Sequence, residues 1–358
     1  VALRGECRHA RRCARARGCR FPAFHFTLTQ NPQPQKQKET RMNNPTINRR
    51  AALGTLGAAS AALAFPALAQ SGKIVFGYTA VTDFASVFVA AEQGYFTKRK
   101  LDVERKFIPL NSTIPAAIQS DSLQMGGPTP SVFLQSVEGG LDHVVVAGGG
   151  ITSKTITGFG LVAKAGSGIR SAQDVVGKKV GVPGLGAFLH VTFRAWLKQS
   201  GVDYKKVNFV EASFPQHGDL LRGGSIDAVV TADPFMSRIV DSGVGYVASY
   251  YSTFLDAGNH TILYAAKRDW ATKNAAQVRL FREAVQEAAT FIGQPKNDSA
   301  VRDAIAKYTK LPPAVVAKVQ ISPPGPTVSE KQMSYWVGLM KDQGMLQTDP
   351  KVANLIFK

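Results

Sequence analysis

Residues 179–199, KVGVPGLGAFLHVTFRAWLKQ, place an apolar strand, a glycine-rich loop and a helix in direct succession. The strand covers Lys179–Val182, and the helix runs from Ala187 to about Gln199. Another continuous apolar run, VVVA at 144–147, is typical of a strand covered on both faces. Because strands and helices alternate in this way from Ile74 to about Val230, the sequence predicts doubly wound α/β lobes.

Two lobes are expected, because the 289 residues from Gln70 onward exceed the usual size of one hydrophobic core. The strands LVAK at 161–164 and LYAAK at 263–267 are each followed by a predicted helical start, at Ser171 and at Asp269. This repeated pattern of a strand followed by a helical start fits a chain that crosses twice between the lobes. We therefore predict that lobe 1 comprises 70–154 and 258–358, that lobe 2 comprises 155–257, and that the chain is mainly helical after about Trp270.

An export signal is predicted at 42–69. Arg49 and Arg50 precede an uncharged, alanine-rich stretch, 51–68, that ends in the small-residue motif Ala67-Leu68-Ala69. This order of basic, apolar and cleavage regions predicts cleavage after Ala69 and a periplasmic protein. The paired arginines are similar to the twin-arginine class of signal, although ordinary secretion stays open. A membrane-spanning helix is the alternative that the glycines and the proline of the stretch disfavour.

The first 41 residues differ in composition from the rest of the chain. They carry ten Lys and Arg against two acids, and 42–69 add two positive charges, so +8 of the total net charge of +18 remains on 70–358. A nucleic-acid-binding arm is one interpretation; we favour a non-native or disordered stretch upstream of a start at Met42. All three cysteines also precede the signal, which excludes disulfides and thiolate metal sites from 70–358.

Four segments carry a family resemblance: AAEQGYF at 90–96, AIQSDSLQMGGPTPSVF at 117–133, GVPGLG at 181–186 after SAQDVVGKKV, and LLRGGSIDAVVTADPF at 220–235. Together they resemble the periplasmic substrate-binding proteins of nitrate/sulfonate/taurine-type ABC importers, in the superfamily that includes thiamine-pyrimidine-precursor binders. The resemblance covers about 70–345. It implies a type II periplasmic-binding-protein fold, with two α/β lobes joined by two hinge crossovers, and a ligand handed to an ABC permease and ATPase. Gln124 and Asp233 depart from the usual acids of the family, so the ligand stays open.

Ligands of open α/β sheets bind beyond the carboxyl ends of the strands. This rule predicts the following ligand-binding residues: Tyr78, Thr79, Asn111, Ser112, Thr113, Pro128, Thr129, Gly184, Gly186, Ala187, Phe188, Ser213, Phe214 and Asp233.

Several of these residues have a purely structural alternative. One of 111–113 is expected to cap a helix, and Asp83 is interpreted as a cap rather than a contact. The glycine loop at 184–186 presents either free amides to an anion or a tight turn. Phe214 either covers the cleft or anchors its loop, and Asp233 either accepts from the ligand or holds the turn at Pro234.

Two aromatic residues near the glycine loop are interpreted as structural. His190 is expected to be packed or solvent-facing, with a role at the edge of the pocket as the alternative, and Trp196 is expected to be core. The other histidines show no spacing typical of a metal site, and the loop lacks a dinucleotide or phosphate-binding signature.

Three functions follow from the sequence. The leading hypothesis is a monomeric solute-binding component of an ABC importer, without chemistry or cofactor, that takes a small organic anion and no nucleic acid. A thiamine-pyrimidine-precursor binder or synthase-like enzyme is the second, although the synthase is disfavoured by the missing cysteines. The third is a ligand-sensing partner of a membrane receptor.

Overall fold

The computed structural model describes residues 72–358, so the predicted arm and export signal lie outside the described residues. Ten strands form two five-stranded sheets within this range. The first sheet contains β1 (Ile74–Tyr78), β2 (Val103–Phe107), β3 (Met125–Gly126), β4 (His143–Gly148) and β10 (Leu263–Lys267). The second contains β5 (Phe159–Lys164), β6 (Lys179–Val182), β7 (Asn208–Glu211), β8 (Ala228–Ala232) and β9 (Gly245–Ser249).

Twelve α-helices connect and cover the sheets in the described range. They are α1 (Ala85–Glu92), α2 (Tyr95–Lys98), α3 (Ile114–Gln119), α4 (Pro130–Glu138), α5 (Phe188–Gln199), α6 (His217–Arg222), α7 (Phe235–Asp241), α8 (Arg268–Lys273), α9 (Ala275–Ile292), α10 (Asp298–Thr309), α11 (Pro313–Val316) and α12 (Glu330–Lys341). None of the helices within 72–358 is long and apolar enough to cross a membrane.

The two sheets share one topology. Their strand orders are β2-β1-β3-β10-β4 and β7-β6-β8-β5-β9. In each sheet the fourth strand is antiparallel to both neighbours, whereas the first three strands are parallel. That antiparallel strand is the first one that the chain enters on arriving from the other sheet. The predicted α/β fold with two lobes is therefore confirmed, with each sheet mixed rather than wholly parallel.

Apolar burial explains why these segments pack as they do. All of β4 is buried, as its unbroken apolar run predicts. It is the last strand of its sheet, and the C-terminal tail covers its outer edge, where Ile356 bridges to Val145. Phe76 on β1 contacts Tyr264 on β10 and Phe281 on α9, with ring centroids 5.1 and 5.7 Å apart. These rings join the sheet to the C-terminal helices that cover it.

Two segments, 149–158 and 250–262, carry the chain between the sheets. They pair with each other, since the Gly149 N–H donates to the Ile262 carbonyl at 3.0 Å. A third segment runs beside them, where the Ile151 N–H donates to the Pro323 carbonyl at 2.9 Å. All strands of the first sheet lie outside 155–257 and all strands of the second lie inside it. The lobe boundaries themselves stay a prediction.

Two local predictions were wrong. The apolar spacing of Phe84, Val87, Phe88, Ala91 and Tyr95 predicts one helix from Phe84 to about Thr97. The structure divides it into α1 and α2 at Gly94, whose φ of 71° interrupts the helical backbone. The helical start expected at Ser171 is only a 3₁₀ turn at Gln173–Val175, because the Asp174 carboxylate accepts the Ser171 N–H and hydroxyl and closes a local turn.

Candidate functional site

A narrow cavity of about 40 Å³ lies between the two sheets and is lined from both. Its polar lining consists of Thr79, Asp83, Asn111, Thr129 and Thr261. Its apolar lining consists of Phe159, Pro183, Ala187, Phe188, Leu189, Phe214, Ala232 and Ile262. A mainly apolar wall with a few convergent polar groups is typical of a site for a small organic molecule.

Two hydrogen bonds join the lobes beside the cavity. The Phe188 N–H, from α5, donates to the hydroxyl oxygen of Thr129, before α4, at 3.3 Å. At the rim, the Ser112 hydroxyl donates to the Glu211 carboxylate at 3.1 Å. The site is therefore assembled from residues far apart in the sequence.

The polar groups of the first lobe are held in place by backbone contacts. The Asn111 amide donates to the Gly127 carbonyl and its side-chain oxygen accepts from the Thr129 N–H, both at 2.8 Å. This pair of bonds places Thr129 at the cavity. Thr79 follows β1 and is buried, and no hydrogen bond engages its hydroxyl among the described residues. The Thr79 hydroxyl is therefore available to a ligand.

The glycine loop before α5 is a tight turn whose amides have partners. The Leu185 N–H donates to the Glu211 carboxylate and the Gly186 N–H to His190 Nδ1, at 2.8 and 2.9 Å. Position 186 favours glycine, because its φ of 78° lies in the left-handed region, which other residues rarely adopt. The prediction of free loop amides is thus corrected. The amides near the cavity are instead those of the first turn of α5, which have no partner within the helix and form its positive end. Of these, the Phe188 N–H already donates to Thr129.

Asp83 is the one ionisable side chain among the described residues that line the cavity. Its carboxylate accepts a hydrogen bond from the Thr261 hydroxyl. Burial raises the pKa of Asp83, and hydrogen bonds from Thr261 and Ser322 oppose that rise. The prediction that Asp83 caps α1 was wrong, since its side chain makes no capping bond to the start of the helix.

The structure brings six of the predicted ligand-binding residues to the cavity: Thr79, Asn111, Thr129, Ala187, Phe188 and Phe214. Phe214 combines both of its predicted roles, since it lines the cavity and stacks on Phe235 at 5.7 Å. Three more residues, Ser112, Gly184 and Gly186, lie beside the cavity, in the rim contact and in the loop that precedes α5.

Four of the predicted residues do not line the cavity. Tyr78 packs into the core, with its ring 5.1 Å from that of Phe88. Thr113 is exposed and its hydroxyl donates to the Leu110 carbonyl. Pro128 contributes its carbonyl to the Leu263 N–H, and Ser213 donates to the side chain of Gln216. These contacts give each of the four a structural role.

Asp233 does not line the cavity either. Its carboxylate accepts from the Ser237 N–H and hydroxyl at 3.1 and 2.7 Å, and from the Gln320 N–H at 3.3 Å. Burial raises the pKa of Asp233 against these hydrogen bonds. The side chain therefore holds the start of α7 to the segment near the hinge, which matches the structural alternative.

Sequence reasoning missed seven lining residues. Pro183 and Ala232 follow or end parallel strands, so the carboxyl-end rule signals them. Phe159, Thr261 and Ile262 lie at the amino ends of β5 and β10, which are antiparallel and present that end at the same edge. No signal in a strand pattern distinguishes such an antiparallel strand. Leu189, in the first turn of α5, and Asp83 complete the set.

His190 is structural, as predicted for a packed histidine. Its Nδ1 accepts from Gly186 and its ring lies 4.5 Å from that of Phe209. Burial, with a smaller contribution from Arg194, lowers the pKa of His190 to about 3, so the ring is neutral. Within 72–358 there is no cluster of three or more potential metal ligands.

A cavity between two lobes of matching topology defines a two-lobed binding-protein fold, and the comparison with solved structures agrees. The alkanesulfonate-binding protein SsuA from Xanthomonas axonopodis pv. citri, bound to MOPS, superimposes with a TM-score of 0.69. The match covers 81% of this chain and 99% of that chain at 18% identity, which establishes the fold alone. The chain belongs to the NMT1/THI5-like family, whose model matches residues 81–297.

Two sequence relatives are functionally named. The nitrate/nitrite binding protein NrtA of Synechococcus elongatus is 25% identical over 251 residues, 63% of this chain. The nitrate import ATP-binding protein NrtC of a Synechocystis species is 25% identical over 266 residues, 70% of this chain. This chain spans 56% of the length of the first relative and 38% of the second.

Proposed function

We propose that this protein is the solute-binding component of an ABC importer and captures a small organic anion, such as a sulfonate, a carboxylate or an aromatic acid. The observation that carries the proposal is the cavity lined from both lobes, with the buried Thr79 hydroxyl and the first turn of α5 both in its lining. Hydroxyl donors and a helix N-terminus stabilise an anion without a fixed positive charge. The aromatic wall favours an organic ligand over a small inorganic ion.

The names of the relatives support the transport role. Two binding proteins named for nitrate/nitrite and alkanesulfonate and one import ATP-binding protein resemble this chain. We infer that the ligand passes to a membrane permease driven by an ATPase, that the protein acts as a monomer without catalysis, and that it works in a periplasm. Conservative replacement of both Arg49 and Arg50 by lysine tests the route: normal export of that variant would contradict a twin-arginine signal.

The binding function is tested by thermal shift of the purified full-length chain against sulfonates, aromatic and aliphatic carboxylates, nitrate and pyrimidines. A ligand that binds only the folded state raises the melting temperature. We expect an organic acid to give the largest shift and to be recovered unchanged by mass spectrometry. A pyrimidine as the best ligand, or conversion of the bound compound, would contradict the proposal.

Thr79→Val is expected to weaken binding of that acid by about tenfold, because a hydrogen bond to a charged group contributes about 1.5 kcal/mol or more. Titration followed by tryptophan fluorescence is suitable, since the Trp336 ring lies 5.4 Å from that of Phe188 in the cavity wall. Thr113→Val is the matched control, because its hydroxyl lies outside the cavity. Equal affinities in the two variants would place the ligand elsewhere.

A further inference from the structure

The charge of the cavity is unusual for a site that takes an anion. Among the described residues that line it there is no Lys, Arg or His, and Asp83 is the one ionisable group. The acid of the rim contact, Glu211, accepts from Ser112 and Leu185. A ligand with a negative group at α5 therefore shares the cavity with a carboxylate.

Asp83 is built into the site rather than directed to solvent. Its carboxylate is held by Thr261, from one crossing segment, and by the hydroxyl of Ser322, from the third segment beside the hinge. Its backbone carbonyl accepts from the Gly150 N–H at 2.9 Å, in the other crossing segment. Gly150 leaves no space around this group, since an added Cβ there would lie 2.7 Å from Asp83 Oδ1. The position of the carboxylate is thus set from three directions.

Two hydroxyl partners and the N–H of Asp83 itself still leave acceptor capacity on its carboxylate, because an ionised carboxylate offers about four lone-pair sites. Within 72–358, the Asp83 carboxylate neither caps a helix nor forms an ion pair, so these interactions do not use its remaining acceptor sites. A half-buried carboxylate at a cavity costs free energy for the acceptor sites that no donor approaches. The ligand itself is the group that enters this space.

We propose that Asp83 accepts a hydrogen bond from the ligand, so that the preferred solute is an organic acid with a second group, a hydroxyl or an amine, that donates. This inference rests on the proposed function and deepens it. The acid group lies toward the first turn of α5 and the donor toward Asp83 and Thr261. A simple anion of the same size leaves the carboxylate without a partner and is repelled by it.

The test compares probes that differ by one donor: 4-hydroxybenzoate against benzoate, and 2-aminoethanesulfonate against ethanesulfonate. Calorimetric titration of the full chain is expected to show at least tenfold tighter binding of the donor-bearing member in at least one pair. In Asp83→Asn that ratio is expected to fall to about threefold or less, with tighter binding of the member that lacks the donor. Asp303→Asn, at an exposed position of α10, makes the same change of charge outside the cavity and is expected to leave the ratio unchanged.

The outcomes separate the two proposals. Binding of all four probes without a preference for the donor, or a preference that survives in Asp83→Asn, would overturn the role of Asp83 and leave the solute-binding function standing. Failure of the wild-type protein to bind any of them, with its fold verified by circular dichroism, would count against the organic-anion function and this inference with it. If Asp83→Asn does not fold, Asp83→Ser provides the same comparison with a smaller polar side chain.

Discussion

Replacement of Gly148 by alanine is expected to lower the free energy of unfolding by about 3 kcal/mol, since overpacking against rigid groups costs about 1–3 kcal/mol or more. Gly148 ends β4 where the crossing segments begin. An added Cβ would overlap the Gly325 carbonyl oxygen and the His260 ring. The carbonyl belongs to the backbone of the third segment, which runs beside the two crossing segments. The overlap can therefore be relieved only if the backbone moves. Urea denaturation of the two proteins measures the difference.

Gly338→Ala is the matched control for this substitution. Gly338 is an exposed position of α12, and nothing lies within 4 Å of an added Cβ. Alanine there is expected to stabilise the protein by about 0.5–1 kcal/mol through helix propensity. A loss of less than about 1 kcal/mol for Gly148→Ala would mean that the contact between 148 and 325 adjusts easily.

The free energy of unfolding is expected to fall by about 3–4 kcal/mol between pH 7.5 and pH 5.5, because burial strongly lowers the pKa values of three histidines and also lowers that of His143. Burial lowers the pKa of His217 and of His260 to about 4, and that of His190 to about 3, from 6.5. Between these values the unfolded chain binds more protons than the folded one. The stabilisation is therefore complete above pH 6.5 and is lost as the pH falls toward 4.

Burial keeps the His217 ring neutral, and the hydrogen bond to the Ala212 carbonyl opposes this by raising its pKa. Its Nε2–H donates to the Ala212 carbonyl at 2.9 Å and its Nδ1 accepts from the Thr231 hydroxyl at 3.0 Å. The raised pKa values of Asp83 and Asp233 act in the opposite direction and offset part of the loss.

His217→Asn separates the histidine effect from the rest. This variant is expected to be less stable at both pH values, but its pH-dependent loss should be smaller by about 1 kcal/mol, the share of one histidine over this interval. Urea denaturation at the two pH values gives both quantities. An unchanged pH dependence in the variant would assign the effect to other groups.

Much of the fold could be predicted from local patterns. The apolar run of β4 and the strand, loop and helix at 179–199 are short-range signals, and the structure contains all of these elements. Thr79, Asn111 and Thr129 could be placed at the site because they follow parallel strands or precede helices at one edge. Asp83 could not, since its position at the start of a helix has the same local pattern as a cap.

The sequence by itself determined the alternation of strands and helices, the two-lobed class and about half of the cavity lining, since each of these depends on the pattern of neighbouring residues. Only the tertiary structure decided that β5 and β10 enter their sheets antiparallel, and so bring Phe159, Thr261 and Ile262 to the ligand edge. It also decided that Asp83, Gly150, Thr261 and Ser322 meet at one point. Those contacts join segments up to about 240 residues apart, and no local pattern specifies such a meeting.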